Sequence, residues 1–210
     1  MNFAQLRDLT IKILNSYSAS GNLTPLSDSS VQDAVLRFPA FAQTCQVEIA
    51  TTAKYILKNI SFEQVSSAVQ IYNEYTLPST LFKICKVEAN EKIIDWELTE
   101  RFKIRVLAKL TGPIKVFYNA YPTPVPGANP LDLVNVPDDE WPFDLDEEAC
   151  QAIPFYVASQ VLIDDPVNKS VGVRLFDIYQ GKLGNMSNLI TQGSQSVKNS
   201  MFTITNSKFL

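Results

Sequence analysis

The sequence predicts an α+β protein: a helical bundle formed by N- and C-terminal helices, with an inserted antiparallel β-sheet or sandwich module. Three observations predict it. Apolar residues recur every three or four positions over residues 2–54 and again over 144–184, the spacing of amphipathic helices. Between Tyr55 and Tyr121 they alternate instead, the period of strands with one buried face. Two helical regions that each show one apolar face need each other to bury it. The expected divisions are a helical part at 1–54, a β insertion at 55–121, an extended crossing segment at 122–143, a second helical part at 144–184 and a C-terminal arm at 185–210.

Residues 2–17 place Phe3, Leu6, Leu9 or Thr10, Ile13 and Tyr17 on one face, which predicts the first helix. Residues 18–30 are polar and contain Gly21 and Pro25, so they read as a loop. A second helical region runs from Val31 to Lys54, capped by Ser29 or Ser30. Val31, Ala34, Val35 and Phe38 make one face, and Phe41 or Ala42, Cys45 and Ile49 continue it. Pro39 lacks a backbone N–H and should kink or split this region.

The clearest strand is Phe102, Ile104, Val106 and Ala108 set against Lys103, Arg105 and Lys109. Ile114, Val116 and Tyr118 alternate with Lys115 and Asn119 after a turn at Thr111-Gly112-Pro113. Further strands are expected near Ile56–Phe62, Val69–Tyr75, Leu81–Val87 and Ile93–Leu98. Short alternating strands with turns between them suit antiparallel pairing.

Residues 122–143 hold six prolines. Leu131, Leu133, Val134, Trp141 and Phe143 are nevertheless too apolar for a free linker, so an ordered crossing is expected. Asp144 is the expected N-cap of the next helix, with Glu147 as its capping-box partner. Pro154 should kink that helix or mark its true start near Ala152. After Asp164, Asp165 caps a last helix with Pro166 at its first position and Val167, Val171, Leu175, Ile178 and Tyr179 as its stripe. Gly184-Asn185 is the expected stop. The polar residues 185–210 read as an arm, with Phe202, Ile204, Phe209 and Leu210 as isolated anchors.

Composition narrows the chemistry. There is no histidine among the 210 residues, which removes Ser-His-Asp and Cys-His catalysis and the usual zinc hydrolases. With seven glycines there is no GxxxxGK[ST] or GxGxxG phosphate loop. The net charge of -4 does not advertise nucleic-acid binding by the whole surface. Cys45, Cys85 and Cys150 have neither disulfide-framework nor zinc spacing and read as buried thiols of a reducing compartment. Arg7, Asp8 and Lys12 interrupt any signal-peptide core, and no apolar run has the length of a membrane span. Without a secretory context the sequons at Asn22, Asn59, Asn168 and Asn185 carry little meaning.

Two constellations remain. Asp138, Asp139, Glu140, Asp144, Asp146, Glu147 and Glu148 could bind a metal for hydrolysis, or line a passage that repels phosphate. A solvated linker followed by helix-start charges explains them more simply. Lys103, Arg105, Lys109 and Lys115 could contact phosphates, but the wet face of a sheet needs the same pattern. Trp96, Phe117, Tyr118 and Tyr121 suit cross-strand packing better than base stacking. No catalytic, cofactor or metal set stands out, and the chain is not expected to be an enzyme.

The stretch IPFYVASQVLIDDPVNKSVGVRLFDIYQGKL resembles the C-terminal helices of tailed-bacteriophage head–tail connector proteins, also called adaptor or head-completion proteins. Pro154, Tyr156, Val157 and Ala158 match the first helix of that pattern, Asp164 and Asp165 its acidic break, and Phe176 and Tyr179 its aromatic close. Leu77-Pro78 before Leu81–Val87, and Tyr118 followed by Pro122 and Pro124, are similar to the family's middle part. The resemblance implies a structural virion protein without catalysis, assembled as a ring, often dodecameric, beneath the portal. Such a ring binds portal and tail or neck proteins, lets DNA pass non-specifically for genome ejection, and contacts no membrane. It would sit at the head–tail interface of the virion and in the host cytoplasm during assembly. The competing expectations are a metal-dependent nuclease or hydrolase using the 138–148 carboxylates, and a non-viral cytosolic binding adaptor.

Overall fold

The computed structural model describes residues 1–16, 29–64, 69–129 and 137–206. It is a mixed α+β chain whose sheets are antiparallel. Contacts divide it into two units. Residues 1–54 and 123–210 make one, and the inserted Tyr55–Pro122 makes the other.

In the helical unit, α1 spans Phe3–Ser16. Asn2 and Gln5 cap it reciprocally: each backbone N–H donates to the other's side-chain oxygen at 3.0 Å. Phe3, Leu6 and Thr10 are its buried face, so Thr10 rather than the half-exposed Leu9 points inward. Tyr17, expected on this face, lies outside the described residues. The region after it is two helices, α2 (Ser29–Val35) and α3 (Phe38–Thr52), because Pro39 sits in the first turn of α3, where its missing N–H has no partner to lose. Phe38, Ala42, Cys45, Gln46 and Ile49 form the buried side of α3.

Past the crossing segment, α4 is one short turn (Glu147–Cys150) and α5 spans Ile153–Ile163. Pro154 again stands at a helix start and not inside a helix. Asp144 is not the cap. Asp146 is, with the Ala149 N–H donating to its Oδ1 at 2.8 Å, because Asp144 is engaged elsewhere. Leu131, Leu133 and Val134 lie outside the described residues.

The last helix departs most from expectation. Asp165 does not cap it at Pro166. Its carboxylate closes a turn by accepting from Val167 N and Asn168 Nδ2, and Val167 is 83% exposed. Helix α6 starts at Lys169 and runs to Asn206. Gly184-Asn185 is therefore no stop, and 185–206 is not a separate arm. The apolar face continues across the glycine: Leu183 and Met186 are both buried, and the Ser187 hydroxyl donates back to Leu183 O. Packing of that face offsets the roughly 1 kcal/mol propensity cost of one helical glycine. Phe209 and Leu210 lie outside the described residues. Helix α5 packs against α1, α3 and α6.

The β unit has two sheets. Strands β1 (Ile56–Phe62), β7 (Ile114–Ala120), β3 (Leu81–Ala89) and β4 (Lys92–Ile93) lie in the order β1-β7-β3-β4. Strands β2 (Tyr72–Thr76), β6 (Lys103–Leu107) and β5 (Glu97–Glu100) lie in the order β2-β6-β5. Alternation sets the buried faces: Ile114, Val116 and Tyr118 on β7, Ile104 and Val106 on β6, and Leu81 and Val87 on β3 join one apolar cluster.

The β3–β4 hairpin turns on Asn90 and Glu91, with φ of 49° and 63°. Two positive values are the signature of a type I′ turn, which asparagine tolerates and glutamate does not. Glu91→Gly is expected to stabilise the β unit by about 0.5–1 kcal/mol, read as a higher urea midpoint; an unchanged or lower midpoint would refute the strain.

Candidate functional site

The carboxylates of 138–148 are shared among separate structural tasks. Residues 138–141 form a turn closed by Trp141 N donating to Asp138 O at 2.9 Å. The start of α1 holds this turn: Phe3 N donates to Trp141 O, Ala4 N donates to Asp139 O, and Arg7 Nη1 donates to Asp139 Oδ1 at 2.6 Å. Asp144 Oδ2 accepts from both the backbone N–H and the hydroxyl of Thr123, each at 2.7 Å, and clamps the far end of the crossing segment. Lys54 Nζ bridges Asp146 at 3.0 Å and Glu148 at 2.9 Å. Asp138, Glu140 and Glu147 are exposed and carry no ion pair among the described residues. The acids that could have formed a metal set are not brought together, and no three of the described carboxylates or thiols converge in that way.

Burial alone would raise the Asp146 carboxyl, but the Ala149 N–H and Lys54 outweigh it and hold it below its ordinary value. A depressed folded-state pKa contributes stability that is present above the unfolded value and is lost as pH falls through the folded one. Asp146→Ala is therefore expected to cost about 1 kcal/mol at neutral pH through the lost cap. The gap to the parent should close in melts taken at pH below the ordinary carboxylate range; a gap independent of pH would show that the charge is idle.

Lys103 and Arg105 fall on one sheet and Lys115 on the other, while Lys109 lies in the turn after β6. Lys103 and Arg105 lie on β6, where Lys103 Nζ is 3.0 Å from Glu100 and Arg105 pairs with Glu97 and stacks over Tyr72 at 4.7 Å. That face is charge-balanced, as a wet sheet face would be. Lys115 lies on the outward face of the four-stranded sheet, opposite the inward Ile114 and Val116. There the register places Glu88 of β3 opposite it, with Lys86 one row on and Lys83 two rows on, two lysines the sequence pattern did not single out. Lys86 and Lys115 both reach the ring of Phe117, with ammonium-to-centroid distances of 4.3 and 5.1 Å. Of the other aromatics, Tyr118 is in the apolar cluster, Trp96 packs on its edge and Tyr121 stacks with Phe82.

Two features of the helical unit were not legible as sites. A groove of about 760 Å³ runs along α1, with Leu9, Ile13, Pro154 and Phe155 as apolar lining and Lys12 and Lys182 as cations. Below the surface, the Tyr179 hydroxyl donates to Glu48 Oε2 at 2.8 Å, and its ring meets Tyr156 edge-on at 5.0 Å. Burial pushes the Tyr179 phenol and the Cys45 thiol well above their ordinary values and the Cys150 thiol up to about 11. These groups are held in unreactive forms. Cys85 is exposed, contrary to the expectation of three buried thiols, because it lies at the irregular register of β3.

Among the described residues no helix is long and apolar enough to cross a membrane. Neither a protein-family model nor a curated protein sequence matches the chain.

Proposed function

We propose that this chain is a structural connector of a tailed-bacteriophage neck. Copies assemble as a ring, a dodecamer in this reading, that docks beneath the portal, offers a face to tail or neck proteins and continues the DNA channel without reading sequence. Its place is the head–tail interface of the virion, reached from the host cytoplasm during assembly. In this reading the helices close as one bundle, the two sheets stack as a sandwich, and the β unit grips sister copies.

One observation supports it most. Large apolar side chains are exposed across the β unit: Leu57 64%, Ile71 72%, Ile93 65%, Leu98 56% and Tyr72 40%. Exposed apolar side chains on both sheets are the kind that contact with sister copies would cover. Helix α6 adds to this: at 38 residues it is about 57 Å long, against 15 residues for the next longest described helix. The resemblance of residues 153–183 to connector helices supplies the particular class.

Purified chain mixed with portal rings should co-sediment with them and appear as an added ring by negative-stain microscopy. A chain that stays monomeric at high concentration and leaves portal rings bare would overturn the reading. Divalent-metal-dependent DNA cleavage, lost in Asp138→Asn or Asp144→Asn, would replace it with a hydrolase.

A further inference from the structure

We propose that the outward face of the four-stranded sheet is the docking surface for a second copy of this chain, and that it receives that copy's Asp138–Trp141 turn. This inference rests on the ring reading above and names the surfaces that meet.

The face is defined by register. Leu57, Asn119 and Lys83 form one row across β1, β7 and β3; Asn59, Phe117 and Lys86 form the next; Ser61, Lys115 and Glu88 form the third. Three lysines stand there against one acid, Glu88, which pairs with Lys86 at 2.6 Å. The face is thus net cationic on a chain of net charge -4. Phe117 stands at its middle, half-buried between the Lys86 and Lys115 ammonium groups, and Leu57, 64% exposed, adds an apolar corner on the edge strand β1. An apolar centre with a charged rim is the anatomy of a protein interface. A phosphate backbone would leave Leu57 and Phe117 uncovered.

The matching surface is on the helical unit. In the turn, Asp138 and Glu140 are exposed without an ion pair among the described residues, and Trp141 between α1 and Phe143 is only half-buried. Arg7 and Lys54, the cations of that region, are already taken by Asp139, Asp146 and Glu148. The turn is pinned to α1 by three hydrogen bonds, so little ordering cost attends its docking. Cations around an apolar centre meet carboxylates around a tryptophan, and two different patches joined head-to-tail generate a ring where the rotation closes.

The test is zero-length carbodiimide coupling of an equal mixture of unlabelled and ¹⁵N-labelled chain, followed by peptide mass spectrometry. Mixed-isotope links from Lys83 or Lys115 to Asp138 or Glu140 are expected. Same-isotope links alone, or none at these residues, would overturn the docking. In sedimentation velocity, Lys83→Glu/Lys115→Glu should weaken self-association by about tenfold or more, and added Asp138→Lys/Glu140→Lys chain should restore it. Lys83→Met/Lys115→Met keeps the aliphatic stems and replaces the reversal if that variant unfolds. Rings that form on portal regardless of these charges would sink the docking and leave the connector reading standing. A wild-type chain that associates neither with itself nor with portal would sink both. Lysine variants that lose retention on duplex DNA while self-associating normally would reassign the face to phosphate.

Discussion

Gly172→Val is expected to destabilise the helical unit by about 3 kcal/mol or more, and Gly172→Ala by about 1–2 kcal/mol. Gly172 lies in the first turn of α6, where the chain doubles back on the end of α5. A Cβ there would sit 2.8 Å from Ile163 N and 3.0 Å from Leu162 C. Both are backbone atoms, so no rotamer change relieves the overlap, and either α5 or α6 has to shift. Alanine gains about 1 kcal/mol of helix propensity at any interior helical glycine, so its net loss is the smaller. Gly181 and Gly184 of the same helix supply the internal control. A Cβ at either meets nothing within 4 Å, so Gly181→Ala and Gly184→Ala should each stabilise by about 0.5–1 kcal/mol. Urea unfolding followed by circular dichroism would rank the alanine variants. A Gly172→Ala midpoint as high as that of Gly181→Ala would mean that α5 and α6 do not approach as closely as the turn at 164–168 dictates.

Local rules carried the sequence reading where one residue type has one physical option. Pro39 and Pro154 cannot sit unmarked inside a helix, so each should kink or divide one, and both stand in a first turn. Ile104, Val106, Ile114 and Val116 alternate with polar neighbours and all face one apolar cluster. The reading failed where chemically equivalent residues compete. Asp144 and Asp146 both suit an N-cap; Asp146 holds it because Asp144 is bound to Thr123, 21 residues back. It failed again where tertiary burial overrules a weak local signal, as at Gly184, where the buried Leu183 and Met186 carry α6 onward.

The lysine face was hidden for a further reason. Residues three apart on a regular strand point to opposite sides of the sheet. Lys83 and Lys86 are three apart, yet both pair with outward residues of β7, because β3 carries register shifts between Leu81 and Lys83 and between Ile84 and Lys86. A bulge re-aims every side chain beyond it. No period of two in the sequence reveals that, so by pattern alone Lys115 groups with Lys103 and Arg105 of the other sheet and not with the lysines of its own face.

Tyr179→Ala is expected to cost about 3–5 kcal/mol, the range for deleting a fully buried aromatic ring. The ring is completely buried, contacts Tyr156 and Phe176, and lies where α6 faces α3. Tyr179→Phe separates packing from hydrogen bonding. It keeps the ring contacts and removes only the donor to Glu48, so it should cost about 1.5–3 kcal/mol if the carboxylate is left unpaired in this half-buried setting. Glu48→Gln keeps an acceptor oxygen in place and should cost less than Tyr179→Phe. In the double variant the two losses should fall short of additivity, since Tyr179→Phe removes the bond that Glu48→Gln only weakens. Additive losses would mean that the 2.8 Å contact contributes nothing, and that Tyr179 stabilises α6 through ring packing, against Tyr156 of α5 and Phe176, alone.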